Sequence, residues 1–264
     1  MYKKLVWTTF RNNTVYKLNL LLSIVAAIIS VLAVRQVWKV LYGSHASGGQ
    51  VAGITLEEML TYVTVAMVLR TFYRSSIAGE ISQKIQTGEI VQDFQRPWDF
   101  QIAMFSRSLG IMLAGVLSIV VPIAIMTVLI FPIQFPHTVN AWAGFLVSLL
   151  FGLGISFCLQ FFIGLMAFVF VEVWGFEIVL GLTISFLSGQ MLPLKLFPDF
   201  LREWVNYLPF RGLYDIPVSI FTNQIQGIEV WGYIGFQAIW VIILGVIIRL
   251  LINYFERLLV VAGG

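Results

Sequence analysis

Residues 138–171 read TVNAWAGFLVSLLFGLGISFCLQFFIGLMAFVFV, a run without a single charged residue. A helix needs about 20 predominantly apolar residues to cross the roughly 30 Å hydrocarbon core of a bilayer. The run is long enough to do so, and it predicts a membrane-spanning helix over about residues 140–170. The rest of the chain is similar, because 59% of all residues are hydrophobic and 11% are charged, whereas soluble domains have about 25% charged residues. The sequence therefore predicts an integral membrane protein.

Five further apolar runs flank this one. Together they predict six transmembrane helices, over about residues 18–42, 56–74, 108–131, 140–170, 176–192 and 230–250. A membrane β-barrel would instead show segments of about ten residues with alternating polarity. We therefore expect an all-α integral membrane protein in which residues 1–264 form a single transmembrane domain.

Basic residues indicate how the chain is oriented. If both termini lie on one side, that side receives eleven of the 16 Lys and Arg residues, and the other side receives five. Because cytoplasmic loops carry the excess of basic residues, this pattern places both termini in the cytoplasm. The N-terminal sequence lacks the cleavage pattern of a signal peptide, so we expect the first span to be retained. The net charge of +3 is then an orientation signal, and no basic patch predicts a nucleic-acid partner.

The first 17 residues have helical amphipathicity. At helical spacing, one broad face collects Tyr2, Leu5, Val6 and Phe10, and the other presents Lys4 and Arg11. A helix of this kind lies in the membrane interface with its apolar face buried. The alternative is a frayed, basic N-terminal tail.

The most polar stretch is ISQKIQTGEIVQDFQRPWDF at residues 81–100, within a predicted cytoplasmic region over residues 79–105. Glu80 and Lys84 are spaced for an i,i+4 ion pair on one helix. Gly88 is placed to end that helix by a left-handed cap. Pro97 best fits the first position of the helix that follows.

Between these two boundaries, EIVQDFQ at residues 89–95 predicts a short amphipathic helix. Its apolar side collects Val91, Phe94 and, beyond the helix, Trp98. Glu89 and Asp93 lie four residues apart with no cation between them, which weakens an isolated helix. We therefore expect a partner outside this segment to stabilise it.

A second informative segment covers residues 193–229. Pro198 suits a helix start, and the apolar stripe that follows comprises Phe197, Phe200, Leu201, Trp204 and Leu208. Pro209 and Gly212 end this helix, and a second short piece follows. Because neither piece is long enough to span, we expect a helical hairpin between the fifth and sixth spans, lying on or dipping into the outer leaflet.

Motifs of catalysis are absent from the sequence. There is no phosphate-binding loop, zinc-protease motif, nucleophile elbow, paired-cysteine motif or dinucleotide fingerprint. His45 and His137 lie in predicted outer loops, and the single cysteine, Cys158, lies in the fourth span. We therefore predict no catalytic residue, no metal site and no cofactor in this chain.

Charged residues also occur inside the predicted spans or within a few residues of their ends. They are Arg35, Lys39, Glu57, Glu58, Arg70, Glu172, Glu177 and Arg249. All lie within about two turns of a predicted span end, where long side chains can reach the interface. This position explains them without a functional role, although Glu172 and Glu177 share an unusual turn that has acids and no base.

The chain resembles the membrane subunits of ATP-binding-cassette type 2 exporters, in the bacterial subgroup whose permease and ATPase are separate chains. In the cytoplasmic stretch the resemblance is carried by Ile85, Gly88, Arg96 and Pro97. In the outer stretch it is carried by Gly189, Pro193, Phe197, Pro198, Leu208, Pro209, Phe210 and Pro217.

The resemblance implies a coupling helix that docks into a groove of an ATPase. The implied docking residues are Gly88, Glu89, Ile90, Val91, Asp93, Phe94, Arg96 and Pro97. Docking would bury Ile90, Val91 and Phe94, while Glu89 and Asp93 would meet cations of the ATPase. At the other side, the outer hairpin would cap the pathway through Pro193, Pro198, Trp204, Pro209, Phe210 and Pro217.

The resemblance also implies the partners and the location. They are a dimer of ATPase chains that bind ATP and Mg²⁺, a second permease that is identical or related, and the lipid of a bacterial cytoplasmic membrane. The implied substrates are amphipathic lipids, peptides, drugs or glycans. We predict a non-enzymatic transport subunit. The alternatives are a stand-alone channel or secondary carrier, a membrane enzyme, and an immunity or regulatory membrane protein.

Overall fold

The computed structural model describes residues 2–12, 17–45, 50–51, 53–73, 77–170 and 172–262. In these ranges the chain is helical apart from one antiparallel sheet of β1 (Gln50–Val51) and β2 (Ile54–Thr55). The α-helices are α1 Tyr2–Asn12, α2 Lys17–His45, α3 Leu56–Phe72, α4 Ile77–Gln86, α5 Glu89–Gln95, α6 Phe100–Gly115, α7 Val121–Ile130, α8 Val139–Leu165, α9 Trp174–Leu187, α10 Asp199–Val205, α11 Asp215–Phe221 and α12 Glu229–Ala262. A π-helical turn joins α6 to α7, and 3₁₀ turns cover Met166–Phe168, Leu194–Leu196 and Pro209–Gly212. The all-α prediction is confirmed.

In the described part of the chain, four helical stretches are long and apolar enough to cross a membrane. They are Leu21–Gly43, Phe100–Ile130, Val139–Phe168 and Glu229–Arg257. The other two predicted spans form shorter helices, with 17 residues in α3 and 14 in α9. At 1.5 Å per residue these helices reach roughly 26 and 21 Å, less than the hydrocarbon thickness.

Side-chain caps explain where two of the helices begin. At α3, the Thr55 hydroxyl accepts from the Glu58 amide and the Glu58 carboxylate accepts from the Thr55 amide, so Thr55 and Glu58 form a capping box. At α6, the Asp99 carboxylate accepts from the Ile102 amide over 3.0 Å. The prediction that Pro97 opens this helix is wrong. Asp99 fixes the start because it supplies the acceptor that the free amides need.

Helix α8 forms the centre of the bundle and packs against α4, α11 and α12. Small residues permit these close approaches: a Cβ at Gly152 would lie 2.3 Å from the Tyr73 hydroxyl oxygen, and one at Gly164 would lie 2.8 Å from the Ile81 Cβ. Tyr73 ends α3 and Ile81 lies in α4, so the two helices follow one another along α8. Close packing of this kind is what small residues allow in membrane helices.

Buried side chains form two main clusters along α8 and α12. One cluster joins Ile90 and Phe100 to Ile248 and Ile252, in the C-terminal half of α12. The other joins the α11 side chains to the N-terminal half of α12. Segments 89–95 and 193–229 therefore lie at opposite ends of the bundle, as the predicted orientation requires.

Helix α1 confirms a helical N-terminus rather than a frayed tail. It packs along α6, where a Cβ at Gly110 would lie 2.6 Å from the Val6 carbonyl oxygen. Leu5 and Val6 are half-buried and Lys4 is exposed, which agrees with the predicted amphipathicity. Residues 13–16 of the predicted segment 1–17 lie outside the described residues, and the position of α1 in the membrane interface stays a prediction.

Candidate functional site

Helix α5 covers Glu89–Gln95, the same seven residues that the sequence predicts. The preceding helix ends at Gln86, and Gly88 has a φ of +76°. A Cβ at Gly88 would meet nothing within 4 Å, so the backbone conformation alone favours glycine here. The predicted left-handed cap at Gly88 is confirmed, and it turns α5 back toward α4.

Asp93 is the buried acid of this turn, with an exposed fraction of 4%. Its carboxylate pairs with the Lys84 amine over 2.6 Å and with the Arg96 guanidinium over 2.9 Å. The expectation that Asp93 meets cations of a partner chain is therefore wrong, as is the expectation that the segment lacks a stabilising cation. The reversal at Gly88 brings Lys84 of α4 beside α5, a proximity that helical spacing does not show.

The apolar side of α5 is rotated by one residue from the predicted stripe. Ile90 is buried against the α6 and α12 cluster, and Phe94 contacts Phe100 edge to face with ring centroids 5.3 Å apart. Val91 is instead exposed. Ile90 is thus already buried within its own chain and is not available to a partner in this structure.

The opposite side of α5 forms an exposed patch, which we call the α5 surface. It comprises Gly88, Glu89, Val91, Gln92, Arg96 and Pro97. All of these except Gln92 are predicted docking residues. Because the other side of α5 is fixed by the buried Ile90 and by the ion pairs of Asp93, this surface projects from the bundle in a fixed orientation.

Glu80 does not form the predicted ion pair with Lys84. Its carboxylate lies 2.9 Å from the Arg107 guanidinium of α6, while Lys84 is engaged by Asp93. Burial raises the pKa of the Glu80 carboxyl above its ordinary value, against the attraction of Arg107 and Lys84. This pair ties α4 to α6.

At the opposite end, α10 and the turn that follows it present exposed aromatic side chains. Phe200, Trp204 and Tyr207 have exposed fractions of 71%, 76% and 75%. The predicted apolar stripe is therefore divided, because Phe197 is buried with Leu194 and Val205 while Phe200 and Trp204 face outward. Exposed aromatic rings are typical of the membrane interface, where their amphipathic character fits.

Helix α11 corrects the predicted hairpin. All seven residues of Asp215–Phe221 are buried, and α11 packs against α8 and α3 rather than lying on a leaflet. Of the predicted hairpin residues, Pro198 and Trp204 are exposed, Phe210 is half-buried, and Pro193, Pro209 and Pro217 are buried. Apolar residues occupy every side of α11, so it is stable only where it is surrounded.

Buried polar contacts hold α11 in this position. The Arg211 guanidinium lies 2.8 Å from the Asp215 carboxylate, and the Asp215 amide donates to the Ser188 carbonyl over 2.9 Å. The Tyr62 hydroxyl donates to the Gly189 carbonyl over 2.8 Å, which links α3 to the same turn. Gly189 has a φ of +83°, and a Cβ there would lie 2.7 Å from the Tyr62 hydroxyl oxygen.

A cavity of about 740 Å³ opens between α2, α3, α8 and α9. We call it the Arg70 cavity. Its walls combine apolar and small side chains with hydroxyl and amide groups, and none of its described lining residues is acidic. A pocket of this size and composition fits a small ligand.

Arg70 and Arg35 lie in places that the sequence did not predict. Arg70 is exposed and lines the cavity, one turn before Tyr73, which contacts the middle of α8 at Gly152. Arg35 is buried, and its guanidinium donates to the Leu60 carbonyl and the Thr64 hydroxyl of α3. Because each arginine lies near a predicted span end, we predict from the sequence that its side chain reaches the membrane interface and has no functional role. The sequence feature that could have pointed to both positions is a cation within an apolar run.

Metal chemistry finds no support in the described part of the chain. No group of three or more His, Cys, Asp or Glu side chains there could hold a metal ion. Cys158 is buried, and His137 lies in an exposed loop where its amide donates to Asn223. The side chain of His45 lies outside the described residues.

Comparison with known proteins identifies the family. A search of curated proteins gives no match to the chain. A family profile described as ABC-2 family transporter protein matches residues 28–255, which include every helix from α3 to α11 and most of α2 and α12. The chain therefore belongs to the ABC-2 family of transporter proteins, as a multi-pass membrane permease.

Proposed function

We propose that this permease forms, with a second identical or related permease, the pathway of an exporter for amphipathic substrates, driven by a pair of separate ATPase chains. The observation that supports the proposal best is the α5 surface. It is a fixed, exposed patch of mixed charge and apolar character at one end of the bundle. Short helices with such a surface commonly dock into grooves of partner proteins.

Contacts beneath α5 provide a route from this surface into the bundle. The ion pair of Asp93 with Lys84 joins α5 to α4, and Ile81 of α4 lies against Gly164 of α8. On the other side, Phe94 contacts Phe100 at the start of α6. A displacement of α5 by an ATPase would therefore move α4, α6 and α8 together, which is how a motor outside the membrane can act on helices inside it.

The permease would lie in the membrane with its α5 end and its α10 end on opposite sides. The α5 surface faces the cytoplasm of a bacterial cell, both termini lie on that side, and α10 faces outward at the end of the pathway. α3 and α9, at the positions of the predicted spans 56–74 and 176–192, complete six spans. ATP and Mg²⁺ bind to the ATPase chains. The distribution of basic residues and the opposite placement of α5 and α10 support this orientation.

The test is co-purification of the ATPase encoded with this permease. Reversing charge and adding bulk on the α5 surface, with Glu89→Lys combined with Val91→Arg, should reduce the recovered ATPase by about tenfold or more, because like charges and lost apolar contact oppose docking. Both side chains are exposed, so the melting temperature of the permease should stay the same.

A matched control is Glu256→Lys, which makes the same charge reversal at an exposed position of α12 at the same end of the bundle. This variant should retain the ATPase. If the double variant of α5 recovers as much ATPase as the unmodified permease, the ATPase does not dock on this surface.

A further inference from the structure

We propose that the Arg70 cavity binds an amphipathic anion, with a phosphate or carboxylate headgroup beside Arg70 and an apolar chain between α2 and α9. This inference rests on the proposed transport function, since it names the class of substrate that such a permease would take. It depends on three observations: the depth of Arg70, the lack of a carboxylate beside it, and the composition of the cavity walls.

Arg70 lies deep in the bundle. The next turn of α3 brings Tyr73 against Gly152, near the midpoint of α8 (Val139–Leu165). Because α8 is long enough to cross a membrane, this contact places Arg70 at the level of the hydrocarbon core. A cation at that depth is costly, and such residues commonly mark a substrate or ion pathway.

Among the arginines whose side chains the structure describes, Arg35, Arg70 and Arg257 form no ion pair, and Arg257 is exposed near the end of α12 and does not line the cavity. Arg96, Arg107, Arg202, Arg211 and Arg249 each pair with a carboxylate. Arg35 is enclosed, stacked over the Phe131 ring and bonded to α3. Arg70 forms no ion pair with any residue in the described ranges, and its exposed side chain borders the cavity. An anionic ligand would supply the missing countercharge.

The cavity walls indicate what else the ligand contains. Neutral hydrogen-bonding groups are contributed by Ser156, Gln160, Ser185 and Gln190. They can satisfy headgroup oxygens without adding a competing negative charge. The α2 and α9 walls include Ala26, Ala27, Ile178 and Leu182, which present apolar surface. A free anion would leave this surface in contact with water, so the walls favour a ligand with an apolar chain.

Photochemical labelling can test the inference directly. The full-length permease, purified with its ATPase, is exposed to a diazirine derivative of tetradecanoate and, in parallel, to the matching neutral alcohol. We expect labelled peptides from α2 and α9 with the carboxylate probe. Excess tetradecyl phosphate should suppress this labelling, whereas inorganic phosphate should not. The neutral alcohol should label the cavity about tenfold less, as expected for loss of a charge-assisted hydrogen bond.

Two variants test separately whether labelling depends on the charge of Arg70 and on the open volume of the cavity. Arg70→Gln should reduce labelling by the carboxylate probe about tenfold, whereas Arg202→Gln, the same change in α10 at a residue that does not line the cavity, should not. Gly181→Phe fills the cavity, because a Cβ at Gly181 would meet nothing within 4 Å and the residue lines the wall. It should remove labelling by both probes. Gly175→Phe in the same helix is its control, since Gly175 also has open space but does not line the cavity.

Each result decides the inference. Equal labelling by the carboxylate and alcohol probes, or unchanged labelling of Arg70→Gln, would show that the cavity does not select anions. Suppression by inorganic phosphate alone would show a site for a free anion instead of an amphipath. The ATPase recovered in the same preparation reports separately on the transport assembly. Failure of labelling with the ATPase still bound therefore overturns this inference and leaves the proposed function standing.

Discussion

Helices α5 and α11 have the same length and similar local chemistry but opposite surroundings. Each has seven residues and begins with an acid. Each also contains an aspartate in an ion pair, Asp93 in α5 and Asp215 in α11. One side of α5 stays exposed, whereas α11 is buried on every side. The comparison shows that a short helix becomes either a docking surface or part of the core according to what packs around it.

The two aspartates should give the largest difference. Asp215→Asn would leave the largely enclosed Arg211 guanidinium without its countercharge, and we expect a loss of about 3–5 kcal/mol in the free energy of unfolding. Asp93→Asn should cost less, about 2–3 kcal/mol, because Lys84 is as enclosed as Arg211 but the second partner, Arg96, is half exposed and can be hydrated. Thermal unfolding of the purified permease would measure both. Equal losses would contradict the contrast between the two helices.

A glycine beside each helix provides the next contrast: Gly88 directly precedes α5, and Gly189, in the turn after α9, lies against the start of α11. Both have positive φ, but Gly88 has open space around it while Gly189 is in close contact with Tyr62 and Asp215. Gly189→Ala should therefore cost about 2–4 kcal/mol, from backbone strain and overpacking together. Gly88→Ala should cost about 1 kcal/mol, from strain alone. If Gly88→Ala is as damaging as Gly189→Ala in the same unfolding assay, packing at Gly189 is not the cause.

Two ion pairs near α10 and α11 differ in exposure, and breaking each of them should show a smaller effect of that difference on stability. The pair of Arg202 with Asp199 is on the surface of α10, whereas the pair of Arg211 with Asp215 is buried. Arg202→Gln should change the free energy of unfolding by about 0.5 kcal/mol or less. Arg211→Gln should lower it several times more, because Asp215 would lose its partner inside the core. Similar values for the two variants would show that burial does not decide the strength of these pairs.

Labelling of introduced cysteines should show on which side of the membrane α5 and α10 each lie, without changing the stability of the protein. Cys158 is the only cysteine and is buried, so the background is low. Tyr207→Cys, next to α10, should react with a membrane-impermeant maleimide on intact cells. Gln92→Cys on the α5 surface should react only after permeabilisation. Reversed labelling would place α5 outside and remove the basis for docking a cytoplasmic ATPase there.

Local sequence rules predicted the boundaries of α5 well. The bounds Glu89–Gln95 and the left-handed Gly88 follow from the glycine, the proline and the spacing between them. The same rules failed for the partners of Asp93, because Lys84 reaches it only after the chain reverses at Gly88. They failed again for α11, whose apolar residues fit a leaflet and a protein core equally well. Its burial depends on contacts with α3 and α8 that are distant in sequence.

The sequence by itself determined that this is a helical membrane protein, because membrane insertion and helical class depend on composition and on the length of apolar runs. It predicted six spans, of which four form helices long enough to cross a membrane in the described part of the chain. It also predicted that α5 and α10 lie at opposite ends, because three of the six predicted spans separate them and each span reverses the direction of the chain. Only the tertiary structure decided that Asp93 is paired internally, that α11 is enclosed, and that Arg70 borders a cavity with no carboxylate among its described lining residues. Those features depend on which side chains meet across helices, and local periodicity carries no information about residues that distant.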